Sequence, residues 1–372
     1  MSGPEPPALP PVLPTALTRL TGVRHPVVQT GMGWVAGPGL VSAVAEAGAL
    51  GFLGSATMTP NELRAAVRAV RARTDRPFGV NLRADAGDAA ERVAVLVEEG
   101  VRVASFALAP SRGLIARLKD AGVVVMPTVG ALRHAEKVAA WGADAVLVQG
   151  AEGGGHTGRV ATTVLVPQVV DAVGIPVVAA GGFFDGRGLA AALAYGACGV
   201  GMGTRFLLTA ESPVPRAVKE AYLAASVADV VVTRKVDGLP HRVLRTAFVE
   251  GLEGAGRTRS LLRAARHAVA FRRLSGSGWA RLVRDGVALR RVRGLAWGQV
   301  LLAASTPMLL RAAMVEGRVE AGVMSAGQVA GLIEDVPTCA ELVGDVVEGA
   351  RRVLAALAGP SGSDGTGITP VR

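Results

Sequence analysis

The residue best suited to chemistry in this sequence is His156, which directly follows the glycine run 153–155. A neutral imidazole on such a loop can act as a general base near neutral pH. Glu152, four residues earlier, either orients this loop or is a solvated charge. Other histidines lie in ordinary surroundings and are interpreted as structural: His134, His241 and His267. His156 is therefore the candidate catalytic base.

A second group of unusual residues lies where short apolar runs end. Glycines at successive strand ends let backbone N–H groups approach an anion closely, and amide side chains can pair with a planar heterocycle. This pattern predicts a cofactor that carries both a phosphate and a ring system. The candidate cofactor contacts are Gln29, Gly31, Met32, Asn81, Gln149, Gly150, Gly154, Gly155, Gly181, Gly182, Gly201, Met202, Gly203 and Thr204.

Other kinds of site find less support. No second histidine or carboxylate stands at ligand spacing from His156, so no metal site is predicted. No G-x-S-x-G nucleophile elbow occurs, which argues against a serine hydrolase. The run Gly31-x-Gly33-x-x-Ala36 matches the dinucleotide fingerprint, but the next apolar run does not end in the acidic residue that this fingerprint needs.

The apolar runs recur with a regular spacing that predicts how these residues are positioned. Their starts lie 20–31 residues apart, each gap has helical periodicity, and the runs are apolar on both faces, as in parallel strands covered by helices. We predict an α/β fold, a (β/α)8 TIM barrel with an additional helical subdomain; a doubly wound sheet is the alternative. The runs are VVQT (27–30), LGFLG (50–54), FGVNL (78–82), VASFA (103–107), VVVMP (123–127), AVLVQ (145–149), PVVAA (176–180) and GVGMG (199–203).

The rhythm stops after residue 206, and this divides the chain. Residues 210–300 are expected to be mostly helical, and the ends to be disordered because they are rich in Pro, Gly and Ser. The predicted organisation is a leader (1–14), a cofactor-binding barrel (15–209), an Arg-rich helical subdomain (210–304), C-terminal helices that pack on the barrel (305–358) and a tail (359–372).

Charge and composition narrow the classes of partner. Of 372 residues, half are apolar, and the net charge is +10. The segment 251–300 alone has eleven Arg against one Glu and one Asp, which favours a grip on substrate phosphates. Only 4% of residues are aromatic, which weakens a nucleic-acid reading. With no signal peptide, bilayer-spanning segment or disulfide framework indicated, we expect a cytoplasmic protein without membrane or nucleic-acid partners.

Three stretches carry a resemblance: VQGAEGGGHTG, AAGGFFDGRGLAAALAYGACGVGMGTRF and SAGQVAGLI. They resemble the nitronate monooxygenase family, once called 2-nitropropane dioxygenases, over roughly residues 18–357. The resemblance implies a barrel with FMN, a catalytic base at His156, and FMN contacts from Asn81, Gln149, Gly154, Gly182 and the run 201–204.

A narrower likeness concerns the substrate. HPVVQTGMGWVAG, FGVNLRADA, VRVASFALAP and VDGLPHRVLRT are similar to a subgroup from bacterial sterol degradation, whose members are thought to act on coenzyme A thioesters. The nitroalkane-oxidising members carry a tyrosine- and lysine-bearing motif after the barrel, which is missing here.

Three functions follow as hypotheses. The first is an FMN oxidoreductase of the nitronate monooxygenase type, in which His156 removes a C–H proton, electrons pass to the flavin, and O2 reoxidises it. The second keeps FMN and His156 but acts as an oxidoreductase of a CoA thioester in steroid-ring degradation, or as an enoyl-thioester reductase, with NAD(P)H as a further partner. The third, a non-catalytic binder of anionic polymers, leaves the special strand ends unexplained.

Overall fold

The computed structural model of this chain describes residues 13–107, 110–254, 287 and 297–358, and for 297–305 it describes the backbone only. The predicted disordered tail and nearly all of the predicted leader lie outside these residues. So does most of the Arg-rich segment 251–300, and with it the predicted grip on substrate phosphates. The candidate site residues are all described, and so is the predicted barrel except for residues 108–109.

Each of the eight apolar runs contains a β-strand, and the run at 123–127 is the first half of a divided one. Pro127 stands at the division and has no N–H to donate to a neighbouring strand. In chain order the strands are β1 (Val27–Gln29), β2 (Leu50–Gly54), β3 (Gly79–Arg83), β4 (Val103–Ala107), β5 (Val124–Val125), β6 (Thr128–Val129), β7 (Val146–Gln149), β8 (Gly155–His156), β9 (Val177–Ala180), β10 (Val200–Met202), β11 (Val230–Thr233) and β12 (His241–Leu244).

Nine of these strands form one closed parallel barrel. They follow the order β3-β2-β1-β10-β9-β7-β6-β4-β5, and a further pairing of β3 with β4 closes the ring. Because β5 and β6 both pair with β4 and share one position, the barrel has eight positions. The predicted (β/α)8 barrel is therefore confirmed. The doubly wound sheet was wrong, since a doubly wound sheet has two free edges and this one has none.

The barrel wall is buried on both sides, as the uniformly apolar runs predicted. Val28, Leu50 and Phe52 belong to the cluster inside the barrel, whereas Val27 and Val80 belong to the cluster between barrel and helices. Neighbouring residues of a strand point to opposite sides of the wall. This alternation decides which side chains near the strand ends can face the mouth of the barrel.

Helices follow most strands and cover the outside of the barrel. They begin with local signals; Thr59, for example, accepts from Glu62 N while the Glu62 carboxylate accepts from Thr59 N, a capping box. In chain order the helices are α1 (Ala16–Thr21), α2 (Pro38–Glu46), α3 (Pro60–Arg71), α4 (Ala89–Glu98), α5 (Arg112–Asp120), α6 (Leu132–Ala140), α7 (Thr162–Ala172), α8 (Gly186–Ala194), α9 (Thr204–Leu207), α10 (Arg216–Leu223), α11 (Ala247–Glu253), α12 (Trp297–Met314) and α13 (Cys339–Ala358).

The last helix, α13, packs against α8 of the barrel. A Cβ on Gly186 would lie 2.4 Å from Ala350 N, so the two backbones touch where a larger residue would not fit. Among the residues that the structure describes, no helix has both the length and the apolar character needed to cross a membrane.

A small antiparallel sheet stands beside the barrel, in the order β11-β12-β8. The expectation that residues 210–300 are mostly helical was therefore wrong for the stretch 230–244. The β-branched run VVVT favours a strand, and the segment between β11 and β12 turns at Gly238, whose φ of +86° suits glycine. Its third strand, β8, lies in the loop after β7, which is the loop that carries His156.

Candidate active site

The polar residues at the barrel mouth are brought together because all parallel strands end at the same edge. Asn81 lies on the interior side of β3, and its Nδ2 is 3.4 Å from Ser105 Oγ on β4. Ser105 Oγ is in turn 3.4 Å from Thr128 Oγ1 on β6. A Cβ on Gly31 would lie only 2.3 Å from the Asn81 Cβ, so Gly31 leaves the space that Asn81 occupies.

Two predicted contacts are placed differently. Gln29 lies on the same side of β1 as Val27, facing the helices, and its Nε2 donates to Phe52 O at 3.4 Å. Met202 belongs to the cluster between barrel and helices and is 1% exposed. Their side chains therefore support the strand ends from behind. Only their backbones lie next to the mouth.

The ends of β9 and β10 form a cradle of backbone N–H groups. Gly181 and Gly182 have φ of +93° and +85°, a region that favours glycine, and Gly203 precedes Thr204 at the start of α9. Over the described part of the chain, nothing accepts a hydrogen bond from the backbone N–H groups of these four residues. A Cβ on Gly203 would lie 3.6 Å from Met32 Sδ, which brings the loop after β1 to the same place. Adjacent unpaired N–H donors are the arrangement that phosphate requires.

Gly201 lies one residue inside this cradle, within β10. A Cβ there would lie 3.0 Å from Leu147 Cδ1 and 3.3 Å from Ala180 Cβ. Side chains of the barrel interior therefore fill the space beside Gly201. This glycine allows close packing just below the barrel mouth.

The loop after β7 folds over Gln149. The Gln149 Nε2 donates to His156 O at 2.9 Å, and a Cβ on Gly153 would lie 2.6 Å from the same Nε2. The Glu152 carboxylate accepts from Thr162 N and from Thr162 Oγ1, at 2.9 and 2.7 Å. Glu152 therefore ties the loop to the start of α7. It is not a free surface charge.

Two further glycines shape this loop. A Cβ on Gly150 would lie 2.0 Å from Thr162 Oγ1, and one on Gly154 would lie 2.7 Å from Gly327 N, so both sites exclude a side chain. Gly155, with φ of +73°, has open space around it. The loop is thus packed against α7 on one side and against residues 326–327 on the other.

His156 is held from outside the barrel. Its Nε2 lies 2.5 Å from Asp237 Oδ2, and its side chain remains 46% exposed while that of Asp237 is 4% exposed. Asp237 occupies the turn between β11 and β12, where its Oδ1 accepts from Leu239 N at 3.1 Å. The pairing of His156 with His241 across β8 and β12 sets the register that brings imidazole and carboxylate together.

Three more residues extend this pair inward. His241 Nδ1 is 3.8 Å from Asp237 Oδ2, and its Nε2 is 2.8 Å from Ser325 Oγ. The Tyr222 hydroxyl donates to Ser325 O at 2.7 Å. His241 and Tyr222 are both buried. The chain of contacts from His156 thus runs into the packed interior.

Burial and hydrogen bonding act on these groups in opposite directions. Burial alone would raise the pKa of Asp237, but the neighbouring imidazoles of His156 and His241 outweigh it, the first through a hydrogen bond, and hold that pKa well below its usual value. Burial lowers the pKa of His241, against the opposing effect of Asp237. At neutral pH, Asp237 is therefore a carboxylate and His241 a neutral imidazole.

These neighbours of His156 were not found from the sequence. His241 was interpreted as structural, and the argument against a second ligand near His156 considered only residues close in the chain. In the structure, one ligand atom each from His156, Asp237 and His241 lies within 4.8 Å of the others. The available signal was the spacing Asp237-x-x-x-His241 in a turn that follows a β-branched run. Ser105 and Thr128 could have been found from strand alternation.

Fold and site together define a (β/α)8 barrel enzyme, with an anion cradle and a histidine held by a carboxylate at one edge. The chain belongs to the nitronate monooxygenase family, whose model matches residues 14–349. Members of this family are oxidoreductases and are generally flavin-dependent.

Two relatives and one solved structure show how far the similarity extends. The chain is 61% identical over 345 residues to "(3aS,4S,5R,7aS)-5-hydroxy-7a-methyl-1-oxo-octahydro-1H-indene-4-carboxyl-CoA dehydrogenase" of Rhodococcus jostii, covering 93% of this chain and 98% of that protein. It is 63% identical over 338 residues to the protein of the same name from Mycobacterium tuberculosis, covering 90% and 95%. The structure of FabK from Thermotoga maritima superposes with a TM-score of 0.78 at 37% identity, covering 94% of this chain and 99% of that one.

Proposed function

We propose that this protein is an FMN-dependent dehydrogenase of a hydroxyacyl-CoA thioester from steroid-ring degradation. The observation that carries the proposal is the similarity at 61–63% identity, over at least 90% of this chain, to two proteins named as dehydrogenases of such a compound. In that name the hydroxyl group is on carbon 5 and the carboxyl-CoA group on carbon 4. The substrate class is therefore a β-hydroxy thioester, which dehydrogenation converts to a β-keto thioester.

The residues at the barrel mouth fit FMN. The unpaired N–H groups of Gly181, Gly182, Gly203 and Thr204 suit the phosphate, and the Asn81 amide on the interior side of β3 suits a polar ring edge. When bound, the flavin supplies an acceptor for the electron pair and hydrogen of the carbinol carbon. We therefore assign the phosphate to the cradle and the ring to the side of Asn81.

The remaining steps belong to the protein. His156 accepts the hydroxyl proton, because its ring is exposed at the mouth while its Nε2 is held by Asp237. The loop 150–158 keeps this ring in place in two ways. The Gln149 amide donates a hydrogen bond to the His156 carbonyl, and the Glu152 carboxylate accepts one from Thr162. CoA esters are made and used inside cells, so the proposal assigns the protein to the cytoplasm.

A flavin-reduction assay tests the proposal. The purified protein is expected to release FMN on denaturation, and its flavin absorbance is expected to bleach anaerobically on addition of a bicyclic β-hydroxyacyl-CoA. Nitronates and NAD(P)H are added to parallel samples. A protein without flavin would contradict the cofactor assignment. Bleaching by nitronate but not by the thioester would move the substrate to the nitronate class named by the family model.

The role of His156 is tested with a matched pair of variants. His156→Ala is expected to retain FMN and to lose about 10²–10⁴-fold in the rate of reduction by the thioester, the usual contribution of a general base. His134→Ala, on the surface helix α6, is the control and is expected to reduce at the wild-type rate. Unchanged reduction in His156→Ala would refute its role as the base.

A further inference from the structure

Asp237 lies in the stretch VDGLPHRVLRT, for which the resemblance implies no role, and its carboxylate contacts the imidazole of His156. It is buried, ionised and anchored by its own turn, with Oδ1 accepting from Leu239 N at 3.1 Å. This leaves Oδ2 for His156 Nε2 at 2.5 Å. A carboxylate can only accept at this contact, so Nε2 must carry the proton.

We infer that Asp237 is a positioning residue that fixes His156 in the tautomer with the proton on Nε2 and the lone pair on Nδ1. The inference rests on the proposed function in taking His156 as the base. The described part of the chain offers no hydrogen-bond partner to His156 Nδ1. In the reaction, the substrate O–H bond breaks and its proton forms an N–H bond at Nδ1. Bound FMN would supply the acceptor for the hydrogen and electron pair of the carbinol carbon, and the Nε2 proton stays where it is.

The carboxylate of Asp237 faces two imidazoles, because its Oδ2 is 2.5 Å from His156 Nε2 and 3.8 Å from His241 Nδ1. Burial keeps His241 neutral, so no second cation neutralises the carboxylate from behind. His241 is itself fixed by Ser325 Oγ, and Ser325 is fixed by the hydroxyl of Tyr222. The imidazolium that forms on proton transfer therefore meets the full negative charge of a buried carboxylate and is stabilised by it.

A metal ion shared by His156, Asp237 and His241 would be the other use of this cluster. Zinc ligands lie about 2.0–2.2 Å from the ion, and two of them in a tetrahedron are more than 3 Å apart. His156 Nε2 and Asp237 Oδ2 are 2.5 Å apart, which is the distance of a hydrogen bond and leaves no space for an ion between them. The geometry thus favours the hydrogen-bonded pair.

Histidine-selective ¹⁵N NMR tests the tautomer on the full-length protein. The chain has five histidines, so few signals are expected, and His156→Ala identifies the one of interest. We expect two-bond ¹H–¹⁵N correlations in which the His156 Nε2 is protonated and Nδ1 is not. Asp237→Asn should convert this signal to a mixture of tautomers. Asp229→Asn is the matched control, because the hydrogen bonds that its carboxylate accepts within the described residues come from Ser226 N and Oγ, so the variant should leave the signal unchanged. A His156 protonated on Nδ1, or a signal unaffected by Asp237→Asn, would overturn the inference.

Kinetics and metal analysis complete the test. Asp237→Asn is expected to lower kcat for the thioester by about 10²–10⁴-fold, with KM changed less than threefold and FMN retained, because Asp237 acts on the base and not on binding. Wild-type turnover in this variant, or a stoichiometric metal that Asp237→Asn removes, would overturn the inference. If the thioester does not reduce the wild-type flavin, the proposed substrate is wrong, and the NMR result still decides the tautomer.

Discussion

Replacing Gly154 by alanine tests whether the loop that carries His156 depends on its contact with residues 326–327. A Cβ at this position would lie 2.7 Å from both Ala326 C and Gly327 N. Ordinary contacts between carbon atoms are about 3.5–4.0 Å, so the two backbones must separate by about 1 Å.

The segment to be displaced is fixed in three ways. Gly327 N donates to Thr204 Oγ1 at 2.9 Å, Gln328 N donates to Glu152 O at 3.0 Å, and Ala326 N donates to Arg242 O at 3.2 Å. Separating it strains these bonds, and overpacking of this kind costs about 1–3 kcal/mol. We therefore expect Gly154→Ala to lower the free energy of unfolding by that amount and to weaken FMN binding, since Thr204 belongs to the cradle.

Urea unfolding and a flavin fluorescence titration measure the two effects. Gly113→Ala is the matched control, because Gly113 lies in α5 with nothing within 4 Å of an added Cβ. The same chemical change should there stabilise the helix by about 0.5–1 kcal/mol. If Gly154→Ala unfolds within about 0.5 kcal/mol of the wild type, the reasoning from this close contact is refuted.

Three further predictions concern buried groups. Tyr222→Phe removes the hydrogen bond to Ser325 O and should lower the free energy of unfolding in urea by about 1–2 kcal/mol. Because Ser325 holds His241, the variant should also reduce the flavin with the thioester more slowly. No change in either quantity would contradict the link from Tyr222 through Ser325 to His241. Burial, with a smaller effect of Arg24, lowers the pKa of His25 from 6.5 to about 4. The unfolded chain then binds a proton below pH 6.5 while the folded histidine does not until about pH 4, so stability present at neutral pH is lost between these values. The wild type should lose at most about 3 kcal/mol more than His25→Gln between pH 7 and pH 4, and parallel losses would exclude His25 as the cause. Burial also raises the thiol pKa of Cys198 to about 11 and that of Cys339 to about 12. A thiol reagent at pH 8 should therefore label neither cysteine in the folded protein and both in urea. Rapid labelling without urea would show that the thiols are accessible.

The fold could be predicted because the barrel depends on a local pattern. Each apolar run, its spacing and its helical partner can be recognised within about 30 residues, and all eight runs contain strands. The division at Pro127 follows from the same local chemistry. The two strands after residue 210 were missed because the sequence offers only one β-branched run there, and β12 is formed through pairing with β8 and β11.

The candidate site could be predicted only where it, too, depends on a local pattern. Residues that act from strand ends, such as Asn81 and Gly181, could be found because parallel strands end at one edge. Asp237 could not, since it is 81 residues from His156 and reaches it only through the register of β8 and β12. The side of the barrel wall that Gln29 faces could not be predicted either. A shift of one residue in the start of a strand exchanges the two sides, and a uniformly apolar run does not fix that start.

The pairing of β8 with β12 has a consequence for the order in which the site forms during synthesis. The barrel is complete once β10 has left the ribosome, but His156 has no partner strand until residues 241–244 follow. Ser325, which fixes His241, emerges later still. A nascent or truncated chain that ends after the barrel thus has the strand ends that form the mouth, yet no carboxylate beside its histidine. Closure of the barrel and completion of the surroundings of His156 are therefore separate events along the chain, and the second requires residues as far as Ser325.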